Sequence, residues 1–131
     1  MSYPYAVQYK PAFPTIPIML RSLSGETTST QTALVDTGAD GTLMPLELLQ
    51  SIHADEQYVA RVRSHWGEWR AASVFLIDLE IGNQIFPSVE VVADESGSVV
   101  LLGRNVINLL TLLLDGPHRQ TDVLSRRPVR L

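Results

Sequence analysis

One carboxylate in this chain follows an apolar run and precedes a glycine turn. The segment Ala33-Leu34-Val35-Asp36-Thr37-Gly38-Ala39-Asp40-Gly41-Thr42-Leu43 places Asp36 directly after three apolar residues and directly before Thr37-Gly38. The apolar lead-in favours a buried strand, and Gly38 lets the chain turn sharply after the carboxylate. Such a turn presents Asp36 at the floor of a cleft, where a carboxyl group can exchange a proton with water or with a carbonyl oxygen. Two other readings compete. One is a plain β-turn with Asp and Gly in their usual places. The other is a calcium loop: with Asp36 first, Asp40, Gly41 and Glu47 fall at the EF-hand positions for an oxygen ligand, the turn glycine and the closing glutamate. Gly38 opposes the calcium reading, because it offers no oxygen at the third position. So do Gln31–Val35, which read as strand rather than entering helix, and Pro45, which falls where the exiting helix should begin.

Other chemistries find little support. His53, His65 and His118 have no metal-type spacing, and no glycine-rich phosphate loop or Gly-x-Ser-x-Gly elbow is present. The chain has no cysteine, which excludes disulfides, thiol nucleophiles and Cys-ligated zinc.

A second segment changes the weight of the first. Val99-Val100-Leu101-Leu102 is an apolar strand closed by Gly103-Arg104-Asn105 and a short helix, about one small lobe downstream of Asp36. Asp36-Thr37-Gly38-Ala39-Asp40 and Leu101-Leu102-Gly103-Arg104-Asn105 resemble, in order and separation, the two signatures of the retropepsins, the single-lobed aspartic proteases of retroviruses and their cellular and bacterial relatives. The resemblance covers roughly Ile16 to Asp115. It implies an all-β fold, a retropepsin-like closed β-barrel with one or two short helices, acting as a homodimer. Two carboxylates must share one proton in that chemistry, and the chain carries one Asp-Thr-Gly. A second copy would supply the other carboxylate on a twofold axis.

The resemblance also assigns roles. Asp36, Thr37 and Gly38 form the catalytic turn, with Thr37 bracing the two active-site loops. Ala39 and Asp40 join Gly38 along the substrate backbone, and Arg104 forms a structural ion pair with Asp40. The hairpin tip Ser64-His65-Trp66-Gly67-Glu68-Trp69 stands where the family has its flap. There Gly67 would supply the bend, and Trp66 and Trp69 would cover an extended peptide or protein substrate. The tip has one glycine where viral flaps have several, and the tail after Asp115 is longer than in the viral enzymes. No metal or organic cofactor is implied. The alternative function on the same fold is a dimerisation or peptide-binding module with little or no proteolysis.

These residues need a scaffold, and the pattern supplies one rich in strands. Residues 1–15, with Pro4, Pro11 and Pro14, read as an extended N-terminal arm containing a short strand at Ala6–Lys10. Residues 16–124 read as the protease-like domain and 125–131 as a loose basic tail. Strands are expected at Ile16–Arg21, where Pro17 suggests an edge, and at Thr30–Val35, Tyr58–Arg63, Ala71–Ile81, Ile85–Ala93, Val99–Leu102, Thr111–Asp115 and Gln120–Leu124. Phe75, Ile77, Leu79 and Ile81 share one face of their strand. Gly82-Asn83 reads as a hairpin turn, and Pro87 marks a bulge or an edge. Pro45–Ile52 reads as a short helix with Leu46, Leu49 and Ile52 on one face, and Arg104–Leu110 as a helical turn or two.

Composition narrows the classes. The chain has 131 residues, which suits one domain. Lys plus Arg number 10 and Asp plus Glu 14, a net charge of −4. That balance argues against a nucleic-acid partner held by phosphate contacts. Hydrophobic residues make up 45% and charged residues 18%, a globular composition. The stretch Val99–Leu114 is too short and too interrupted to span a bilayer, so no membrane partner is expected. The lack of cysteine fits a cytoplasmic protein.

Overall fold

The computed structural model describes residues 1–63 and 67–129. Its strands are β1 (Ser2–Pro4), β2 (Thr15–Arg21), β3 (Gln31–Val35), β4 (Thr42–Pro45), β5 (Asp55–Arg63), β6 (Trp69–Ile81), β7 (Gln84–Asp94), β8 (Val100–Leu102), β9 (Thr111–Asp115) and β10 (Gln120–Leu124). Two short helices, α1 (Leu46–Ser51) and α2 (Arg104–Ile107), follow β4 and β8. Strands β2-β3-β8-β4-β7-β6 are joined in that order, and β6 pairs back onto β2, so six strands close a barrel. β5 hangs on the same edge of β6 and forms the long hairpin. No helix is long and apolar enough to cross a membrane among the described residues.

The barrel closes because its strands are apolar on the face turned inward. Phe75, Ile77, Leu79 and Ile81 are all buried, as the alternation in β6 requires. They pack with Ile16, Ile18 and Leu20 of β2 and Val89 and Val91 of β7 in one core cluster. Leu49 and Ile52 plug one end from α1 and its C-cap, again fully or almost fully buried. Both prolines expected to disturb pairing do so locally. β2 pairs with β3 through Thr15–Ile18 and with β6 only from Met19 onward, so Pro17 lies where the strand is bonded on one side. Between the pairs Ile77↔Val89 and Leu79↔Phe86 the β6–β7 register shifts. Pro87 and Ser88 fill that bulge, and the Asp78 carboxylate accepts from the Ser88 N–H at 3.0 Å. Gly82 takes φ +61 in the tight β6–β7 turn, a conformation open to glycine at little steric cost.

Three elements depart from the sequence expectation. β4, with no counterpart there, is a four-residue strand in the middle of the barrel, parallel to β7 and antiparallel to β8. The expected strand at Ala6–Lys10 is absent; Ala6 makes one isolated bridge to Phe13, and the arm's strand is instead β1. β1 pairs with β10, and β10 with β9, in a separate three-stranded antiparallel sheet. β5 starts at Asp55 rather than Tyr58, because its exposed first residues are held by pairing with β6 and show no alternation.

Candidate active site

Asp36 stands one residue beyond the end of β3. β3 and β8 run parallel with Val35 opposite Leu102, and the Asp36 N–H donates to Leu102 O at 3.0 Å. The two apolar strands therefore end together, and each leads into a polar loop. On the first loop the Gly38 N–H donates to Asp36 Oδ1 at 2.9 Å, and the Ala39 N–H to Asp36 O at 3.2 Å. This is an Asx-type turn that orients the carboxylate through its own backbone. Asp36 is half-buried, whereas Thr37 and Gly38 are exposed. Asp36 Oδ2 takes no hydrogen bond from a described residue, so that oxygen is free for a reactant.

The second loop holds the first one in place. The Arg104 N–H donates to Ala39 O at 2.8 Å and the Asn105 N–H to Asp40 O at 3.3 Å. Arg104 Nη1 donates to Thr37 O at 2.9 Å. Beneath them Thr42, completely buried at the start of β4, donates from Oγ1 to Asn105 Oδ1 at 2.7 Å and accepts from the Gly103 N–H at 3.1 Å. Asn105 Nδ2 continues the chain to Glu90 O of β7 at 3.0 Å. Gly103 is required by space rather than by φ: a Cβ there would stand 2.1 Å from Gly41 O and 3.0 Å from Ala39 O.

The expected ion pair between Arg104 and Asp40 does not form among the described residues, whose ion pairs are Arg21–Glu80, His53–Glu26 and His118–Asp115. The Arg104 guanidinium is turned to the Thr37 carbonyl, and Asp40 meets the second loop through its main-chain oxygen while its side chain is exposed. Sequence reasoning passed over Thr42 and gave Asn105 no role. The signal lay in Thr42-Leu43-Met44, where Thr42 shares the inward face with buried Met44 and so must find a partner in the core.

The hairpin expected as a flap is the β5–β6 pair, in register from Arg61↔Ala71 to Arg63↔Trp69. Ser64, His65 and Trp66 lie outside the described residues, so the reading of Trp66 is not reached. Gly67 has φ +87, a conformation open to glycine at little steric cost. Trp69 is 55% exposed, with the Arg61 and Arg63 guanidinium carbons 5.3 and 5.8 Å from its ring centroid. These three share one face of the hairpin. Val62 and Arg70 lie on the other face and line a cavity of about 230 Å³ together with Leu43, Leu46 and Ala72. Tyr58 Oη donates to Glu90 Oε2 at 2.8 Å, tying the base of the hairpin to β7, and that bond raises the tyrosine pKa. Among the described residues no three His, Asp or Glu side chains gather as a cation site.

Comparison with known proteins agrees with this architecture. The family described as "gag-polyprotein putative aspartyl protease" matches residues 25–108, more than half of the chain and both loops of the site. The chain belongs to that retropepsin-like aspartic protease family. Its fold is similar to that of a retropepsin-like aspartic protease from Rickettsia conorii, with a TM-score of 0.58 and 18% identity over 85% of this chain and 93% of that one. It is also similar to the protease of EIAV complexed with the inhibitor HBY-793 (0.57, 14% identity, 73% and 86% covered). A third likeness is to the retroviral protease-like domain of Ddi1 from Leishmania major (0.55, 13% identity, 87% and 90% covered). No curated protein sequence matches.

Proposed function

We propose that this chain is an aspartic endopeptidase that acts as a homodimer, with Asp36 of each copy meeting on the twofold axis. The observation that carries the reading is the half-buried Asp36 carboxylate: its Oδ1 is oriented by the Gly38 N–H, its Oδ2 is free, and its turn is braced by Arg104. A single carboxylate cannot both accept a proton from water and donate one to the scissile carbonyl. Two at contact distance can, because like charges there cannot both ionise cheaply and one proton stays between them. One carboxylate then takes the proton of the attacking water while the other protonates the carbonyl oxygen. The two apparent pKa values belong to the pair, and activity lasts only while the pair keeps its shared proton.

The substrate in this reading is an extended peptide, laid as an added strand between the catalytic turn and the β5–β6 hairpin. Gly38 and Asp40 would contact its backbone. Ala39 contributes by shape, since its N–H and C=O are already used by Asp36 and Arg104. Cytoplasmic action is part of the same proposal.

Digestion of a peptide library by wild type and Asp36→Asn tests the reading. The amide keeps the shape and cannot share the proton, so cleavage should fall by at least about 100-fold, with the melting temperature nearly unchanged. Undiminished cleavage by Asp36→Asn would remove Asp36 from the mechanism. A folded wild-type protein that cuts no peptide would favour the binding-module alternative.

A further inference from the structure

We propose that the open edge of the β5–β6 hairpin docks an acidic, extended segment of a partner protein, added as a strand beside β5 with its carboxylates on Arg61 and Arg63; the proposal stands apart from the catalytic reading. β5 ends the seven-stranded sheet, so one side of it carries N–H and C=O groups with no strand partner among the described residues. Val59, Arg61 and Arg63 recur at every second residue, and their partners on β6 are Ser73, Ala71 and Trp69. These side chains share one face of the hairpin. The face is open: Val59 is 63% exposed, Trp69 is 55% exposed, and both arginines are exposed. It is also cationic. Both guanidiniums lie over the same indole ring, and neither enters an ion pair among the described residues. From Ala60 to Arg70 the sequence has three arginines against one carboxylate, Glu68. In a chain whose net charge is −4, this is a local reversal of sign.

The charge and the spacing name the occupant. Side chains two residues apart on a strand repeat on one face, so Arg61 and Arg63 match carboxylates at alternate residues of a facing strand. A guanidinium stacked on an indole still presents the N–H donors of its edge, and stacking holds it ready for a carboxylate. Opposite Val59 the same strand places an apolar side chain. Read along an antiparallel ligand, the pattern is acidic, any, acidic, any, apolar. A second copy of β5 would bring arginine against arginine, so this edge repels its own kind while it attracts an acidic strand. Nucleic acid fits less well. It cannot pair with a free strand edge, and binding through phosphates draws on several cations that a chain of net charge −4 does not gather elsewhere.

Tryptophan fluorescence tests this without any cleavage assay. The chain has two tryptophans, so Trp66→Phe leaves Trp69 as the only indole. The probe is a blocked synthetic peptide, Gly-Glu-Thr-Glu-Thr-Val-Gly, with a counterpart carrying lysine in place of glutamate. The glutamate peptide should give a saturable change in Trp69 emission that weakens as salt rises from about 50 to about 500 mM; the lysine peptide should give none. The Arg61→Gln/Arg63→Gln double variant, with unchanged circular dichroism, should bind at least about 5-fold more weakly, whereas Arg126→Gln/Arg127→Gln in the basic tail should bind as before. Of two glutamate peptides methylated at alternate backbone nitrogens, in opposite phase, one should lose binding and the other keep it, because an added strand points alternate N–H groups at its neighbour. Equal binding of the glutamate and lysine peptides, or undiminished binding by Arg61→Gln/Arg63→Gln, would overturn the proposal. So would retention of binding by both methylated peptides. A single-stranded oligonucleotide or phosphatidylserine vesicles held by these arginines when the glutamate peptide is not would also overturn it, in favour of a different polyanion.

Discussion

Thr42 lies beneath both loops of the site, and two substitutions there separate hydrogen bonding from burial. Thr42→Val keeps the side chain's shape and removes its hydroxyl. The Gly103 N–H and Asn105 Oδ1, now 3.1 and 2.7 Å from that hydroxyl, are left without a partner around a residue with no exposure. Orphaning the buried Gly103 N–H costs about 1–3 kcal/mol, and Asn105, an exposed residue, adds less because water can reach its amide oxygen. The added apolar group returns at most about 0.8 kcal/mol. Thr42→Ser keeps both hydrogen bonds and loses one methyl, a cost of about 1 kcal/mol. The two effects predict opposite orders. If the polar network dominates, stability falls from wild type to serine to valine. If burial dominates, valine equals or exceeds wild type and serine is lowest. Urea unfolding followed by circular dichroism, at one protein concentration throughout because association shifts apparent stability, gives the order from the midpoints at constant slope. A valine variant more stable than the serine variant would refute the buttress argued from Thr42.

Two further outcomes follow from the same structure. Gly103→Ala should destabilise by at least about 1–3 kcal/mol, because its Cβ would meet backbone rather than a movable side chain; Gly41→Ala, with nothing within 4 Å of its new Cβ, should change the thermal midpoint little, and equal midpoints for the two would refute the packing of Gly103 against the first loop. At the β9–β10 turn, the side-chain bond from His118 and its backbone N–H hold the Asp115 pKa below the ordinary aspartate value; the stability this lends is therefore present at neutral pH and lost as pH falls through the lowered folded-state value, and an NMR titration placing the Asp115 carboxyl at or above about 3.9 would contradict it.

The parts of the fold legible in the sequence are those written in local alternation. β6 shows its inward face at every second residue from Phe75 to Ile81, and β9 and β10 are marked off by Gly116-Pro117 between them. β1 and β4 were not legible, for one reason. Each is three or four residues long, too short to carry a period, and each exists because a distant strand completes it: β10 for β1, and β7 and β8 for β4. Tertiary pairing decides such segments, and propensity does not. The site divides the same way. Asp-Thr-Gly after an apolar strand marks the carboxylate in the sequence itself, whereas the partner of Arg104 depends on how two loops meet across the barrel. The family resemblance suggested the Asp40 carboxylate; the fold brings the guanidinium to the Thr37 carbonyl instead.

That substitution of a carbonyl for a carboxylate bears on how the site holds its shape. The first loop has only two hydrogen bonds of its own, Gly38 N–H to Asp36 Oδ1 and Ala39 N–H to Asp36 O. The second loop adds three more, to Thr37 O, Ala39 O and Asp40 O, from Arg104 and Asn105. Four of the five bonds grip main-chain atoms of the first loop at both ends. The fifth, from Gly38, grips the Asp36 side chain and aims it. Backbone is what must stay still if a carboxylate is to meet its twin on an axis, because a freely turning side chain on a moving turn would lose the shared proton. An Arg104–Asp40 ion pair, by contrast, would join two exposed side chains and contribute little. With Arg104 bracing the turn through Thr37 O, the other flank of Thr37 opens onto the leucines of β9. The turn is thus held on the side that belongs to its own chain and left uncovered on the side where, in the proposed dimer, a second copy would arrive.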